Sequence, residues 1–548
     1  MRSKKVMMRF YIKKRTTQLI ATIGLVFLTS GCSKLVDKYL PKEEGTSSVN
    51  PTFQAPYYAP QMITPPRSAD IGESLYNKPS SWDARYHYLW GFETVGAPGI
   101  WDELPAEIQE VVVAVIDTGV DVSHAELTGR IWTNTAEIPG NAIDDDGNGF
   151  IDDVNGYNWV AGSGDIADDN GHGTHVSGTI AATVNASGII GVSPFVKIMP
   201  LKVLDNTGAG SFSDVLDAIN YAILMGAHVV NLSLGVHRQD LIDQFGATDG
   251  ETFFWELTAD ANTRISNAVT GVHGRKVAVF VAAGNEATPG APSYDPDLTP
   301  LARNSIPANA RYAITIAAHD PNSARCNFSN YGWKLDFSLP GCGLNSSGIL
   351  STRSSTCSSS CGTNFTGDTT LSRLNGTSMA SPHAVGLAAL AFSTNTALTP
   401  LKMRQALRLS INSLSGGTSV VDQEFGFGNL VPEQLSSLSE DVSGALIGVK
   451  ISSPYDGSAP SVSTGISFSI EAPSESYEWR LYDVSGATLP SNFDFSTLSG
   501  PVAQGAGVGD QNLNSTLSLN SSQPHLIILE VQGVSGGPKF YDTLELVP

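Results

Sequence analysis

The chain has 548 residues, enough for a large buried core and for more than one domain. Its 53 acidic residues outnumber its 32 basic ones, which gives a formal net charge of −21 at pH 7. An acidic surface of this kind argues against nucleic acid or anionic lipid as a docking partner, and it favours solubility and calcium binding.

The first 31 residues are predicted to be a signal peptide. Seven basic residues lie within residues 2–15, and residues 19–30 form an apolar stretch too short to span a bilayer. The next segment, LTSGC, ends at Cys32 and resembles the lipid-attachment site of bacterial lipoproteins, although Thr29 stands where an aliphatic residue is usual. We expect an exported protein held in the cell envelope through a lipid anchor alone. Ser33 favours the outer membrane, and simple secretion is the alternative.

Three further regions are predicted from composition and periodicity. Residues 32–80 are rich in Pro, Ser and Tyr, which is typical of a tether. Residues 81–435 alternate apolar strand-like runs with helical segments, and this predicts an α/β fold with a doubly wound, mainly parallel sheet. Residues 440–548 alternate apolar and polar residues between turns, which predicts a small β-sandwich. This accessory domain either binds substrate or the cell surface, or only stabilises its neighbour, and the sequence leaves both open.

Asp117 is the first candidate functional residue along the chain. It follows residues 111–116 (VVVAVI), a β-branched apolar run that predicts a buried parallel strand. Open α/β sheets place their sites at the carboxyl ends of strands. We therefore expect Asp117 at the functional edge of the sheet.

An acidic loop (NAIDDDGNGFIDD) follows at residues 141–153. Alternating carboxylates and amides, with glycines that allow a tight wrap, resemble the oxygen-rich loops that bind Ca²⁺. No glutamate closes the loop, so it is not an EF-hand. The candidate ligands are Asp144, Asp146, Asn148, the carbonyl of Phe150, and Asp152 or Asp153. A solvated acidic turn without a metal is the alternative.

His172 lies in the segment NGHGTH (residues 170–175), and the small and apolar residues 176–184 after it have helical character. Its flanking glycines allow the backbone to approach closely, whereas a histidine of a packed core usually has bulky neighbours. His172 is therefore a second candidate functional residue. His175 is interpreted as a packing or hydrogen-bonding residue.

Two more buried strands are predicted at residues 229–234 and 277–282, and no structure is predicted for residues 239–254. Beyond them lies an even set of cysteines, Cys326, Cys342, Cys357 and Cys361. Disulfides fit an exported protein, but four cysteines allow three pairings and the sequence does not choose among them. We expect the bonds to staple the Ser/Gly-rich segment 344–370, with free buried thiols as the alternative.

The segment NGTSMASPH (residues 375–383) puts Ser378 where a loop becomes a helix. Unpaired N–H groups at a helix start can hold a developing oxyanion, as an acyl-transfer nucleophile requires. A serine at that position is also a common helix cap. This segment alone does not separate the two interpretations.

Together these motifs resemble the subtilisin family of serine proteases. The resemblance covers roughly residues 82–435, and its acid, base and nucleophile motifs occur in the order that subtilisin has. It implies that Ser378 is the nucleophile, that His172 is the general base and then acid, and that Asp117 orients the imidazole. The side-chain amide of Asn285 would donate to the oxyanion.

The resemblance also implies how substrate and metal bind. The backbone that would pair with an extended substrate belongs to Ser233, Leu234 and Gly235. The residues that would line the primary pocket are Ala282, Ala283 and Gly284. Because main-chain pairing gives affinity without much side-chain selectivity, we expect a monomeric endopeptidase of broad specificity for proteins or peptides. A second, weaker calcium site is implied at Glu126 and Asn185, although glutamate replaces the usual aspartate.

Two other interpretations of these motifs are open. The related sedolisins share a Gly-Thr-Ser segment but use a glutamate as the base. His172 argues against that class and implies activity from neutral to alkaline pH. The rival from a different class is a catalytically silent relative that serves as a surface binding or adhesion protein.

Overall fold

The structure, a computed structural model, describes residues 61–71, 89–185, 188–287, 302–344, 348–358, 361–365, 368–395, 398–412, 420–430, 446–454, 458–472, 476–486, 492–535 and 538–547. The predicted signal peptide, Cys32 and most of the predicted tether lie outside these residues. Within them, no helix combines the length and the apolar character that a membrane crossing requires.

A seven-stranded parallel sheet forms the centre of the larger region. Its strands are β1 (Val112–Asp117), β2 (Tyr157–Asn158), β3 (Lys197–Lys202), β4 (Val229–Leu232), β5 (Ala278–Ala282), β6 (Ile314–His319) and β7 (Phe337–Pro340). In space they follow the order β7-β6-β5-β4-β1-β3-β2, and all six pairings are parallel. Strand order runs in opposite directions on the two sides of β1, as in a doubly wound fold. The predicted fold class is confirmed.

Helices cover both faces of this sheet. They are α1 (Trp90–Thr94), α2 (Ala97–Glu103), α3 (His172–Ala181), α4 (Phe212–Leu224), α5 (Arg238–Phe245), α6 (Ala247–Thr270), α7 (Thr377–Thr394) and α8 (Pro400–Leu409). Val113 and Val115 of β1 belong to the apolar core that contains α3 and α7, while Val112 and Ala114 belong to the core on the opposite face, with α4 and α6. A strand with a core on each face needs an unbroken apolar run, and β1 has one.

A small antiparallel sheet leads into helix α7. Its strands, in the order β8-β10-β9, are β8 (Ile349–Thr352), β9 (Thr363–Phe365) and β10 (Asp368–Leu374). Shorter strands pair elsewhere: Met62–Ile63 with Ile108–Gln109, Val236–His237 with Ser305–Ile306, Ile411–Asn412 with Asn429–Leu430, and Val420–Asp422 with Asn492–Asp494. Because β10 ends just before α7, this sheet adjoins the predicted nucleophile Ser378.

The carboxyl-terminal region is rich in antiparallel strands. They are β11 (Gly448–Ser453), β12 (Thr464–Glu471), β13 (Ser476–Ser485), β14 (Ala503–Val508), β15 (Gln511–Leu517), β16 (His525–Gly533) and β17 (Lys539–Leu546). One sheet has the order β11-β12-β15 and the other β14-β13-β16-β17. Residues of both sheets, such as Phe468 and Ile528, belong to one apolar core. This arrangement agrees with the predicted β-sandwich.

Buried charges fasten the β-rich region to the rest of the chain. Two carboxylates, those of Asp336 and Asp542, are fully inaccessible to solvent. The Asp542 carboxylate on β17 accepts hydrogen bonds from Arg311 Nη2 at 2.9 Å and from Arg404 Nη1 at 2.8 Å. Other buried cations of the same cluster are Lys334, Arg408 and Lys450. A strand of the β-rich region thus supplies the counter-charge for arginines of the other region.

Candidate active site

Asp117 and His172 are hydrogen-bonded to each other inside the protein. Asp117 ends β1, and His172 is the first residue of α3, which packs against β1. The imidazole Nδ1 lies 2.7 Å from Oδ1 and 3.0 Å from Oδ2 of Asp117, and the two side chains have exposed fractions of only 2 % and 0 %. Because a carboxylate accepts hydrogen bonds, Nδ1 carries the proton and Nε2 has the free lone pair of a base.

The surroundings of His172 favour its protonated form. Burial alone lowers the pKa of the imidazole, but the carboxylates of Asp117 and, further away, Asp168 outweigh burial and raise it above the ordinary value. The Nε2 atom is buried and makes no hydrogen bond with any residue that the structure describes. His172 is therefore a buried base whose accepting atom is free.

Ser378 lies near the start of helix α7, which packs against α3. Its hydroxyl donates to the carbonyl of Ser233 at 3.0 Å, and the hydroxyl of Ser233 donates to the carbonyl of Ser378 at 2.9 Å. This reciprocal pair holds the start of α7 against the end of β4. The Ser378 hydroxyl therefore does not donate to His172 in this rotamer, and a rotation about its χ1 is needed to bring it there.

The side-chain amide of Asn285 faces the same helix start. Its Oδ1 accepts from the backbone N–H of Thr377 at 2.8 Å and from the Thr377 hydroxyl at 3.1 Å. Since Oδ1 must face these donors, the assignment of the amide is fixed and Nδ2 remains as a donor. A Cβ placed on Gly376 would lie 3.7 Å from this Nδ2. A donor thus lies beside Gly376, two residues before Ser378.

The predicted substrate-binding segments follow two neighbouring strands. Ser233, Leu234 and Gly235 come directly after β4, and Ala283 and Gly284 come directly after Ala282, the last residue of β5. Gly284 has a φ of +104°, and a Cβ there would lie 2.4 Å from Asn330 Nδ2, so glycine is required. Because β4 and β5 are parallel neighbours, both segments lie at the edge that also carries Asp117.

Two other buried histidines are hydrogen-bonded and stay neutral. His175 Nε2 contacts the carbonyl of Ile349 at 3.0 Å, and burial lowers the pKa of His175 to about 3. His383 Nδ1 donates to the carbonyl of Met379 at 2.8 Å, and burial lowers the pKa of His383 to about 4. The predicted hydrogen-bonding role of His175 agrees with these contacts.

The four cysteines of the described region form the bonds Cys326–Cys342 and Cys357–Cys361. The structure thus selects one of the three possible pairings. Cys357–Cys361 lies within segment 344–370, as expected, whereas Cys326–Cys342 closes a loop that precedes it. The Cys357 Sγ would be 3.0 Å from a Cβ on Gly171, the residue before His172, and the φ of Gly171 is +99°.

The segment of residues 351–358 contains Cys357 and several serines and threonines, and it lies along the loop before α3. We call residues 351–358 the hydroxyl strap. Ser354 and Thr356 donate to the carbonyl of Asp168 at 2.6 and 2.9 Å, and Thr352 donates to the carbonyl of Thr174 at 2.7 Å. The strap therefore holds the backbone on both sides of His172.

The subtilase family profile matches residues 109–428, more than half of the chain. The chain belongs to the subtilase family. This confirms the family that the sequence motifs predicted.

Several characterised proteases resemble this subtilase. The extracellular protease of Xanthomonas campestris pv. campestris is 34% identical over 64% of this chain and 56% of that protein. The thermophilic serine proteinase of Bacillus sp. strain AK1 is 32% identical over 60% of this chain and 63% of that protein. Subtilisin Savinase of Lederbergia lenta is 30% identical over 61% of this chain and 97% of that protein. The match thus spans less than two thirds of the first two proteins and nearly all of the third.

A group of carboxylates in this subtilase could hold a metal ion. Glu137, Asp146 and Asp153 each offer an oxygen, and these oxygens lie within 4.8 Å of one another. Burial raises the pKa of all three carboxyl groups. Three hard oxygen donors whose charges are costly to bury together fit a divalent cation such as Ca²⁺.

The other predicted ligands of this loop make different contacts. Asn148 Nδ2 donates to Asp146 and Asp153 at 3.2 and 2.9 Å. Asp144 accepts from backbone N–H groups of the loop, and the Phe150 ring packs edge-on against Tyr157 and Tyr221. The Asp152 carboxylate accepts from the backbone N–H groups of Asn141 and Ala142 at 3.1 and 3.0 Å, so it shapes the loop.

Glu137 was not predicted, because it precedes the alternating acidic pattern by several residues. In the structure its carboxylate accepts from the backbone N–H groups of Asp145 and Asp152 at 2.8 and 3.0 Å. Its carboxylate therefore joins two parts of the loop by hydrogen bonds from the buried side. No spacing rule signals such a residue, since a fold-back of the chain creates the contact.

The structure brings together Glu126 and Asn185, the two residues of the predicted second metal site. Asn185 Nδ2 donates to Glu126 Oε2 at 3.1 Å. Burial raises the pKa of Glu126 to about 7, with a further contribution from Asp368. A carboxyl group that is half protonated near neutral pH is a weak cation ligand, so this pair fits calcium less well than the acidic loop does.

Proposed function

We propose that this subtilase is an exported serine endopeptidase that hydrolyses peptide bonds through an acyl-enzyme. The observation that carries the proposal is the hydrogen bond from His172 Nδ1 to buried Asp117, which leaves Nε2 free beside the helix of Ser378. A buried carboxylate, an oriented imidazole and a serine at a helix start are the parts that acyl transfer requires.

The reaction begins when the Ser378 hydroxyl rotates from the Ser233 carbonyl to His172 Nε2. Nε2 takes the hydroxyl proton as Oγ attacks the scissile carbonyl carbon, and Asp117 stabilises the imidazolium. His172 then gives the proton to the leaving amine, and the C–N bond breaks. A water molecule, deprotonated by the same Nε2, then attacks the acyl carbon, and His172 returns that proton to Ser378 Oγ as the C–O bond of the acyl-enzyme breaks.

The tetrahedral oxyanion is bound at the start of α7. Asn285 Nδ2 would donate from one side and the backbone N–H of Ser378 from the other, because the N–H groups of Thr377 and Met379 already donate to Asn285 Oδ1 and to the Gly376 carbonyl. The positive end of the helix adds to the stabilisation. These donors act on charge that appears only in the transition state, so they raise kcat more than they lower KM.

Substrate binding is assigned to the segments after β4 and β5. An extended peptide would pair with the backbone of residues 233–235, with its side chain before the cut in a pocket lined by residues 282–284. A Cβ on Gly235 would lie 2.9 Å from the carbonyl of Ile306, so a side chain at this position would displace the neighbouring backbone. Broad specificity follows, and we expect a monomer that binds no nucleic acid.

Calcium is proposed as a structural ion at the acidic loop. Glu137, Asp146 and Asp153 would be the direct ligands, and Glu126 with Asn185 would form a weaker second site. When bound, the ion would neutralise the negative charge of these carboxylates. Its role here is to hold residues 137–153 together, away from the peptide-bond chemistry.

The remaining proposals concern domains and location. Residues 81–435 would form the catalytic domain and residues 440–548 the accessory domain, after a signal peptide at 1–31 and a tether at 32–80. Export is supported by the relative named an extracellular protease. Lipid attachment at Cys32 rests on the sequence alone and would make the anchor the only membrane contact.

Labelling with a fluorophosphonate probe tests the proposed activity. We expect the purified protein to be labelled and to cleave a diverse peptide pool at many sites. Ser378→Ala should abolish both, and the variant's Tm should fall only slightly because one hydrogen bond, to Ser233, is lost. If the protein is neither labelled nor active where a related protease reacts, the silent binding protein is the better interpretation.

A further inference from the structure

Asp168 is a buried carboxylate that the proposed mechanism does not use. It lies in the loop before α3 and has no exposed surface. Its Oδ1 accepts from Thr118 Oγ1, Asn170 N and Gly171 N at 2.8, 3.2 and 2.7 Å. Its Oδ2 accepts from Thr174 N and Thr174 Oγ1 at 2.9 and 2.6 Å. Five donors thus converge on one side chain.

The direction of these hydrogen bonds is fixed by the neighbouring contacts. The hydroxyl of Thr118 accepts from Gly173 N at 2.9 Å, and the hydroxyl of Thr174 accepts from Asp121 N at 2.9 Å. Each hydroxyl therefore has only its own proton to offer to Asp168. Burial raises the pKa of Asp168, and its hydrogen bonds oppose that rise. Because all five partners donate, none accepts the proton of a neutral carboxyl group, and the contacts fit the carboxylate.

The position of this charge matters because His172 is the first residue of a helix. The N-terminus of a helix carries a partial positive charge on its unpaired N–H groups, which disfavours a cation there. In α3 the N–H group of Thr174 is taken up by the Asp168 carboxylate, and that of Gly173 by Thr118. The proposed base thus lies at a helix end whose partial positive charge disfavours the imidazolium, and the buried Asp168 carboxylate offsets that charge.

Several titratable groups lie on the elements that pack against α3. On α7, His383 is neutral because burial lowers its pKa to about 4. On β1, Asp117 holds Nδ1; on α3, His175 is neutral; on β3, the Lys202 ammonium donates to the carbonyl of Thr118 and pairs with Asp169 at 2.8 Å. The hydroxyl strap presents neutral groups to this loop. Asp168 is therefore the second carboxylate that acts on the imidazole, after Asp117.

We propose that Asp168 is a positioning residue for His172. Its buried carboxylate fixes the loop before α3 and offsets the positive end of that helix, so that the imidazole becomes charged readily when it takes the Ser378 proton. The inference rests on the proposed function, because His172 has to be the base for this effect to influence catalysis.

The direct test measures the titration of His172 without relying on activity. In a Ser378→Ala background, NMR of histidine-labelled protein follows the His172 resonance, identified by its loss in a His172→Gln variant. Adding Asp168→Asn should lower the pKa of His172 by about one pH unit. The matched control is Asp165→Asn, which removes an exposed carboxylate upstream in the same loop and should leave the titration unchanged.

The active protein supplies a second readout. Asp168→Asn should lower kcat about tenfold with little change in KM, and should move the acid limb of kcat/KM to lower pH by the same shift. A variant with an unchanged His172 titration and an unchanged acid limb, whatever its Tm, overturns the proposal. If the protein with Ser378 cleaves no peptide, the proposed function fails while the titration result stands by itself.

A second substitution covers the case in which Asp168→Asn does not fold. Asp168→Ser keeps a short oxygen acceptor of the kind preferred before helices, but it removes the charge. It should give the same downward shift of the His172 titration. Failure of both variants to fold assigns Asp168 a purely structural role and overturns the proposal.

Discussion

Ser378 illustrates how a single hydroxyl can serve two purposes. In this rotamer it donates to Ser233 and helps to hold helix α7 on strand β4. In the proposed reaction it donates to His172 instead. The contact with Ser233 therefore defines a resting state, and a binding substrate that pairs with the Ser233 backbone would compete for the same carbonyl.

Asn285 is predicted to contribute through the transition state alone. Asn285→Ala should lower kcat by about a hundredfold to a thousandfold with KM nearly unchanged, which is the size of effect known for the corresponding donor in subtilisin. The measurement is steady-state kinetics on one peptide substrate. Fluorophosphonate labelling should slow but persist, and a variant with full kcat would remove Asn285 from the oxyanion site.

The pH dependence of activity should reflect the raised pKa of His172. The base must be neutral to take a proton, so kcat/KM should rise with pH through a value above the ordinary histidine pKa of about 6.5. A profile of kcat/KM against pH checks this. An acid limb below about pH 5 would contradict a histidine base.

At the residue scale, the sequence motifs predicted which side chains meet in the candidate site. Asp117 and His172 are placed by their own segments, and the structure joins them at 2.7 Å. Asp168 and Glu137 were missed because their partners are mainly backbone N–H groups, which carry no sequence signal. The rotamer of Ser378 could not be read from sequence either, since it depends on a carbonyl far away in the chain.

The two disulfides are predicted to act differently because they lie on different elements. Cys357–Cys361 closes a short loop and lies against Gly171, whereas Cys326–Cys342 closes a longer loop. Chain entropy assigns about 2 kcal/mol to the shorter loop and about 3 kcal/mol to the longer one. Cys357→Ser/Cys361→Ser should therefore lower Tm less than Cys326→Ser/Cys342→Ser but lower kcat more.

Thermal unfolding and steady-state kinetics on the two double variants measure this difference. Each variant is the control for the other, because each removes one disulfide from the same protein. Equal losses of kcat, or a larger loss without Cys326–Cys342, would show that the contact at Gly171 does not influence His172.

The acidic loop is predicted to bind calcium through Glu137. Glu137→Gln keeps the shape of the side chain but removes one of three clustered charges, so it should shrink the rise in Tm that added Ca²⁺ produces. Asp152→Asn is the matched control, since Asp152 lies in the same loop but outside the group of three carboxylates whose oxygens lie within 4.8 Å of one another. A calcium-dependent Tm shift that Asp152→Asn removes and Glu137→Gln keeps would contradict the assignment.

Elements with strong periodicity were predicted and others were not. Strand β1 and helix α3 follow from apolar runs with glycine at their ends. Helix α5 and the first part of α6 were not predicted, because residues 239–254 mix charged and aromatic side chains without a clear apolar stripe. The disulfide pairing also lay beyond sequence, since it depends on how loops of different sheets meet.

On the scale of the whole molecule, the buried charge cluster makes the two regions interdependent. Asp542 lies on β17, while Arg311 and Arg404 belong to the region with the parallel sheet. Their guanidinium groups are buried, so removing the β-rich region would take the Asp542 carboxylate away from both arginines and leave Arg404 with Asp336 alone. The accessory domain is therefore bound to its neighbour by more than apolar contact.

Asp542→Asn is predicted to destabilise the whole protein. Breaking a buried ion pair by neutralising one partner costs about 3 to 5 kcal/mol, because the remaining charge stays buried. Denaturant unfolding measures the loss. Glu478→Gln is the control, since Glu478 is 52 % exposed and pairs with Arg480 at the surface, where an ion pair contributes little. Equal effects of the two changes would contradict a structural role for the cluster.

The same cluster sets the acid stability of the protein. The surrounding cations outweigh the effect of burial and hold the pKa of Asp542 well below its ordinary value, and they depress that of Asp336 as well. The stability that these carboxylates provide is present above an unfolded-state pKa of about 4. It is lost as the pH falls through their lower folded-state values.

The carboxyl-terminal β-sandwich could be predicted from the sequence, but its contact with the rest of the chain could not. Alternation of apolar residues indicates a β-sandwich after residue 440, and the described strands agree. A buried arginine such as Arg404 looks in sequence like an ordinary surface residue of an amphipathic helix. Only the docking of β17 shows that it points inward.

The pairing of Arg311 and Arg404 with Asp542 also implies an order of folding steps. A ribosome delivers the sheet strands, then α8, and only much later β17, and domains generally begin to fold as they emerge. Until β17 docks, Arg311 and Arg404 lack the carboxylate of Asp542, and the charge cluster beside the parallel sheet remains incomplete. Synthesis of the accessory strands is thus the step that finishes the proposed catalytic domain.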